Sequence, residues 1–288
     1  MRLVALSPAI AVMLGDLGLQ SRIVARHDYD LVLPDDLPSA GHQQRIDYET
    51  LIAVRPTHVV LEWGARPLPQ RLTRLAERRG WTVMNYSMTS LDEIAAAWDD
   101  LALDLLGDRP RPPISREGLL PDVDPDRLDV DLPSAALARA LRPLDANPDN
   151  VGRVLLLAGL EPPGVLGPGS AHHDVLGRLG VRPAVDEGSP WMTLDLEDIL
   201  TLSPDAIVIV KPRAPGTPDA DPTPDELRER LGRLAELGIP AVRRDRIALI
   251  DHPLALLGGS AIIDYADELR DILRRWGGPP SEPANLDP

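Results

Sequence analysis

Short apolar runs rich in β-branched residues recur along the chain, separated by stretches whose apolar residues return every three to four positions. Residues 3–6, 22–25, 58–62 and 82–86 carry the first pattern and read as strands. Residues 9–17, 47–54, a segment after Pro67 and residues 91–106 carry the second and read as helices. Strand and helix in regular alternation indicate a parallel α/β sheet. Gly18 ends the first helix, and the second stops before Arg55-Pro56, where proline disfavours helical geometry. These elements make a first lobe over 1–107.

The alternation resumes after a break. Residues 153–158, 206–210 and 246–250 read as strands, and 225–237 and 262–276 as helices, giving a second lobe over 151–276. Between the lobes, 108–150 is a connection: 108–131 is dense in Pro and Asp with no period, and 133–144 supports one short helix. The tail, 277–288, is rich in Pro and Gly and reads as loose. Segments 48–61 and 196–209 echo one another as helix, proline turn, strand. Two similar lobes facing one cleft are therefore expected, with the ligand in that cleft.

Composition narrows the function. A net charge of −15 offers phosphate backbones and anionic lipid heads no general attraction, so nucleic acid is not an expected partner. Without cysteine there is no disulfide, thiolate metal site, cysteine nucleophile or lipid-modified N-terminal cysteine. No run reaches the roughly 20 apolar residues that span a bilayer, so no direct membrane insertion is expected, and no secretory leader or lipobox is recognisable. Ser7 lacks a Gly-x-Ser-x-Gly elbow and no His/Asp pair accompanies it, so no catalytic residue is assigned. The acidic run 122–131 reads as a solubilising segment.

Aromatic residues are scarce, which makes two tryptophans conspicuous. Trp63 follows a strand beside Gly64, where βα loops form the cleft edge of an α/β lobe. Trp191 sits between the turn residues Gly188-Ser189-Pro190 and a helix start near Asp195. Two readings stand for each: an indole stacked on a planar ligand, or a plug at a lobe edge. Trp81, Trp98 and Trp276 read as packing. His172-His173 lies near a helix start; adjacent helical residues point about 100° apart, so the pair reads as surface, and no metal site is assigned. The glycine run 164–169 lacks the Lys-Ser/Thr ending of a phosphate loop and reads as a tight turn that lets backbone approach a ligand.

In order along the chain come Arg2-Leu3-Val4-Ala5-Leu6-Ser7-Pro8-Ala9, Gly18-Leu19 with Arg22-Ile23-Val24, Leu61-Glu62-Trp63-Gly64, Pro162-Pro163-Gly164, Ser189-Pro190-Trp191 and Gly258-Gly259-Ser260 before the last helix. This series resembles the ABC-transporter substrate-binding proteins that capture siderophores, haem and cobalamin, and the vitamin B12-binding component most. The resemblance implies a helical-backbone (class III) periplasmic binding fold: two Rossmann-like α/β lobes with parallel sheets, a linker and a ligand cleft between them. It implies a non-enzymatic protein that binds a corrinoid and delivers it to an ABC permease, without a resident cofactor, in a periplasmic or extracytoplasmic place. The ligand positions it implies are Trp63, Trp191, His27, Tyr29, Gln43, Gln44, Pro163, Gly164, His252 and Leu254, the glutamines suiting the amide fringe of a corrinoid.

Docking on a permease by one exposed carboxylate per lobe is implied at Glu197. In the first lobe the matching stretch, 66–71, has no acid, and Glu62 is the nearest. The proline-rich connection also departs from the family's long rigid linking helix. Other functions stay open: a haem or ferric-siderophore receptor, for which Arg26, Arg66 and Arg213 would be cationic cleft residues; a cytoplasmic, transporter-independent corrinoid or tetrapyrrole binder; and a chelatase-like enzyme using His27 or His252 with Glu62.

Overall fold

The structure, a computed structural model, describes residues 1–107, 132–218 and 221–278. The acidic run 122–131, most of the interlobe connection and the tail beyond Gly278 lie outside the described residues. The chain divides into two compact units: Met1–Ala138 with Leu257–Ala261, and Arg139–Leu256 with the C-terminal segment from Ile262.

In unit 1 the order is β1 (Leu3–Ala5), α1 (Pro8–Asp16), β2 (Ile23–Ala25), β3 (Gly41–His42), β4 (Arg45–Ile46), α2 (Tyr48–Val54), β5 (His58–Leu61), α3 (Gln70–Arg79), β6 (Thr82–Asn85) and α4 (Leu91–Leu106). Four strands form a parallel sheet in the order β2-β1-β5-β6. The middle strands carry Val4, Val59 and Val60, all fully buried, as expected where helices cover both faces of a parallel sheet. α1 is apolar nearly all round, and residues 9–16 are all buried. A helix of that kind needs cover on every side. The returning segment Leu257–Ala261 supplies some of it: a Cβ on Gly259 would stand 3.2 Å from the Ala9 side chain.

The helix from Ser90 to Gly107 follows the sequence pattern, started by a capping box in which Ser90 and Glu93 satisfy each other's backbone N–H groups. The hairpin β3–β4 does not announce itself in the periodicity, being two residues a side. Gly41 makes it possible: its φ is +94°, and a Cβ there would lie 2.1 Å from the Arg45 carbonyl oxygen.

At and beyond the boundary come α5 (Pro133–Ala140), then α6 (Pro148–Val151), β7 (Arg153–Leu160), β8 (Pro163–Leu166), α7 (Ala171–Arg178), β9 (Arg182–Pro183), β10 (Trp191–Thr193), α8 (Leu196–Leu202), β11 (Ala206–Val210), α9 (Pro224–Leu231), α10 (Pro240–Arg243), β12 (Ile247–Ile250) and α11 (Ile262–Gly277). Strands β7, β11 and β12 run parallel, around a core of Leu155, Leu157, Ile207 and Ile209. On the other side of β7 the sheet continues as β8 and β10, each antiparallel to its neighbour. Only Glu161 and Pro162 separate β7 from β8, and so short a connection can join only antiparallel strands. Of the stretch 164–169, expected as a tight turn, residues 164–166 are strand and the turn is confined to 167–169. The expected helix 225–237 breaks at Gly232, whose φ is +54°, into α9 and a 3-10 segment.

Candidate functional site

The carboxyl ends of the unit 1 strands gather the polar groups. The chain leaves β1 toward β2 on one side and crosses back to β5 on the other, so the seam between β1 and β5 is the point where connections diverge. Crevices at such seams are the usual ligand sites of open α/β sheets. Ser7, just beyond β1, and Glu62, just beyond β5, flank it. Ser7 is the N-cap residue of α1, yet its side chain makes no capping bond. Instead its hydroxyl donates to Glu62 Oε2 at 2.9 Å. Burial pushes the Glu62 carboxyl above its ordinary range, and the Ser7 bond only partly offsets this.

At the end of β2 stands His27, buried, with Tyr29 two residues on and 69% exposed. His42, on the hairpin, completes a ring cluster: centroids are 5.8 Å apart for His27 and Tyr29, 5.7 Å for Tyr29 and His42, and 6.3 Å for the two imidazoles. The Tyr29 N–H donates to His27 Nδ1 at 3.1 Å, and the Gln44 N–H to His42 Nδ1 at 3.3 Å. Each neutral imidazole therefore carries its proton on Nε2. Burial holds His27 below the ordinary imidazole range, against the opposing charge of Asp28. Next to His42, the Gln43 amide donates to the Glu62 carbonyl at 3.1 Å, linking the ring cluster to the seam.

Trp63 is engaged by its own loop. Its indole N–H donates to the Pro67 carbonyl at 3.0 Å, the Arg66 guanidinium stands 4.9 Å from its ring centroid, and the ring packs on the unit 1 core. Its backbone N–H is held by Asn85 Oδ1 at 2.8 Å.

In unit 2, Trp191 begins β10 and is 54% exposed. Its indole lies across Gly164, where an added Cβ would meet the ring at 2.8 Å. Glycine at 164 is thus the seat of the indole. Pro163 and Leu254 are buried, and the Leu254 N–H donates to His252 Nδ1 at 3.3 Å. Arg213 and Asp251, beyond β11 and β12, form an ion pair at 2.7 Å. The histidine pair is not on the surface as expected. His172 is buried with Nε2 2.9 Å from the Ala255 carbonyl and its ring edge-on to Tyr265, and His173 Nε2 is 2.9 Å from the Val185 carbonyl. α7 does start there, but its first turn faces the core.

Neither a protein-family model nor a curated protein matches this sequence. Solved structures do. The periplasmic haem-binding protein HutB of Vibrio cholerae matches with a TM-score of 0.66 at 18% identity, over 95% of this chain and 98% of that one. The periplasmic vitamin B12-binding protein BtuF of Vibrio cholerae gives 0.61 at 18%, over 95% and 96%. A periplasmic haem-binding protein of Pseudomonas aeruginosa gives 0.61 at 21%, over 98% and 95%. This chain has the periplasmic binding-protein fold.

On that fold, the sequence-derived residues sort by environment. His27, Tyr29, Gln43, Trp63 and Glu62 share the strand-end face of unit 1, and Gln44 lies in the same hairpin turn with its backbone on His42. Glu62, considered for docking, is half-buried with its carboxyl on Ser7, whereas Glu197 in the first turn of α8 is exposed. The arginines weighed for an anionic chelate are engaged: Arg26 with Asp35 at 3.2 Å, Arg66 on Trp63 and Arg213 with Asp251. Sequence reasoning did not single out His42, and it treated Ser7 only as a failed nucleophile. The signal for His42 was Gly41, whose obligatory positive φ marks a tight turn that turns the next residue toward β2.

Proposed function

We propose that this chain is a solute-binding protein that captures a planar metal tetrapyrrole and hands it to an ABC permease. The observation that carries this is the exposed phenol of Tyr29, set beside two imidazoles at the strand ends of unit 1. Phenolate oxygen is a known ligand of haem iron. His27 and His42, with their Nδ1 atoms engaged, stand beside that ring as neighbours that orient a ligand. An iron tetrapyrrole with an open axial position uses this group. A corrinoid with both axial positions filled does not, which shifts the preference from the corrinoid suggested by the sequence toward haem. A ferric siderophore is less well served, because Arg26, Arg66 and Arg213 are already partnered.

Trp191 adds an exposed stacking face on unit 2, and the exposed Glu197 is the docking carboxylate for the permease. Matching structures are named as periplasmic proteins, and the same location is proposed for this chain. Titration of the purified protein with haemin, cyanocobalamin and a ferric siderophore, followed by absorption and tryptophan fluorescence, tests the assignment. Haemin is expected to saturate, with its absorption shifted. In Tyr29→Phe the affinity falls by at least about tenfold and the shift is lost. Saturation by cobalamin alone returns the ligand to the corrinoids, and binding of none of the three ends the proposal.

A further inference from the structure

The Ser7–Glu62 pair is not needed to hold a metal, and it does not cap α1, although Ser7 stands where a cap would be. It lies at the β1/β5 seam, and Glu62, beyond β5, is two strand spacings from β2, which the Tyr29 cluster follows. Two strand spacings are about 10 Å, comparable to the reach from the centre of a tetrapyrrole to the groups on its periphery. The hairpin bridges that interval, with His42 against His27 at one end and Gln43 on Glu62 at the other. We infer that the Ser7–Glu62 pair is a specificity element: with the metal at Tyr29, the Glu62 carboxyl meets the peripheral side chains of the tetrapyrrole and selects them by charge. This rests on the tetrapyrrole assignment.

The chemistry follows from which atoms are free. Ser7 donates to Oε2, so the proton of the neutral acid sits on Oε1. Burial extends the pH range of that neutral form upward. A neutral acid donates a charge-assisted hydrogen bond to a ligand carboxylate. Once ionised, the same group repels it. The groups set against Glu62 are uncharged: Ser7 from the end of β1, Gln43 from the hairpin, and Asn85 from β6 through the Trp63 backbone. Among the described residues, the titratable groups on the neighbouring strand ends are Arg26, His27, Asp28, Tyr29, Asp30, His42, Arg66 and Tyr86. The first is paired with Asp35, Arg66 covers Trp63, and Tyr86 is held protonated by burial.

The test compares haemin with its dimethyl ester, which keeps the iron and removes the carboxylates. Affinities for both are measured at two pH values, one in the ordinary carboxylate range and one well above it. Glu62→Gln leaves every other charged group of the site in place, so whatever those groups add to the ratio appears in the variant too. For the wild type, the preference for haemin over the ester is expected to fall about tenfold between the two pH values. In Glu62→Gln, which keeps an acceptor for Ser7 but cannot ionise, the ratio stays constant within about twofold. A wild-type ratio that does not change with pH overturns the inference, as does an equal change in the variant. A wild-type ratio that stays constant overturns the inference whether or not the variant folds. Failure of the wild type to bind either compound at either pH shows instead that the tetrapyrrole assignment is wrong, and takes this inference with it.

Discussion

His172 shows how one buried side chain sets an acid limit on the fold. Burial takes its pKa down to about 4 from an ordinary 6.5, while Nε2 keeps the Ala255 carbonyl and the ring edge meets Tyr265. The unfolded chain therefore takes up a proton before the folded chain does. The stability this group contributes is complete above pH 6.5 and is lost as the pH falls toward about 4. The loss amounts to about 3 kcal/mol. Denaturant titrations at a series of pH values should show this slope in the wild type. In His172→Leu the protein should be less stable near neutrality, with the Ala255 carbonyl unpaired, and its stability should vary less over the same pH interval.

At the level of elements, Arg270 ties α11 to the segment that ends α5. From the buried face of α11 its guanidinium donates to the carbonyls of Ala140 at 2.5 Å, Arg142 at 2.6 Å and Pro143 at 3.5 Å, closing the C-terminal end of α5 and the turn that follows. Ala140 is the last residue of α5, so its carbonyl has no partner inside that helix, and Arg142 and Pro143 lie beyond it. Arg270→Met keeps most of the packing volume and removes the donors, so a loss of about 2 kcal/mol in chemical unfolding is expected, with α5 exchanging its amide hydrogens faster. Starts such as α4, α8 and α9 were readable in the sequence because Ser90, Asp195 and Thr223 each open a capping box. β8 and β10 were not, since Gly164 and Pro163 are poor strand formers and the pairing of the two strands brings the indole of Trp191 across Gly164. Nor was the Ser7–Glu62 bond, which spans 55 residues and depends on β1 and β5 becoming neighbours. Tyr29 and His27 were legible as candidates, but the hairpin that sets His42 beside them was not.

For the whole molecule, the decisive feature is that neither unit is a continuous stretch of chain. The chain leaves unit 1 near residue 138 and returns for Leu257–Ala261, which covers the apolar surface of α1 near Ala9 and Met13. A polypeptide ending at residue 138 should therefore expose part of α1, bind a hydrophobic dye and unfold with low cooperativity. Adding a synthetic peptide of residues 257–261, or linking it genetically, should restore a cooperative transition. Sharp unfolding of the shorter polypeptide alone would show that the returning segment is dispensable. Seen in time rather than in space, the same feature orders synthesis: unit 1 begins to emerge before unit 2, yet it lacks a wall until Ala261 has been made. Of the two units, the one started first is closed only when most of the other has been made, so both become complete almost together.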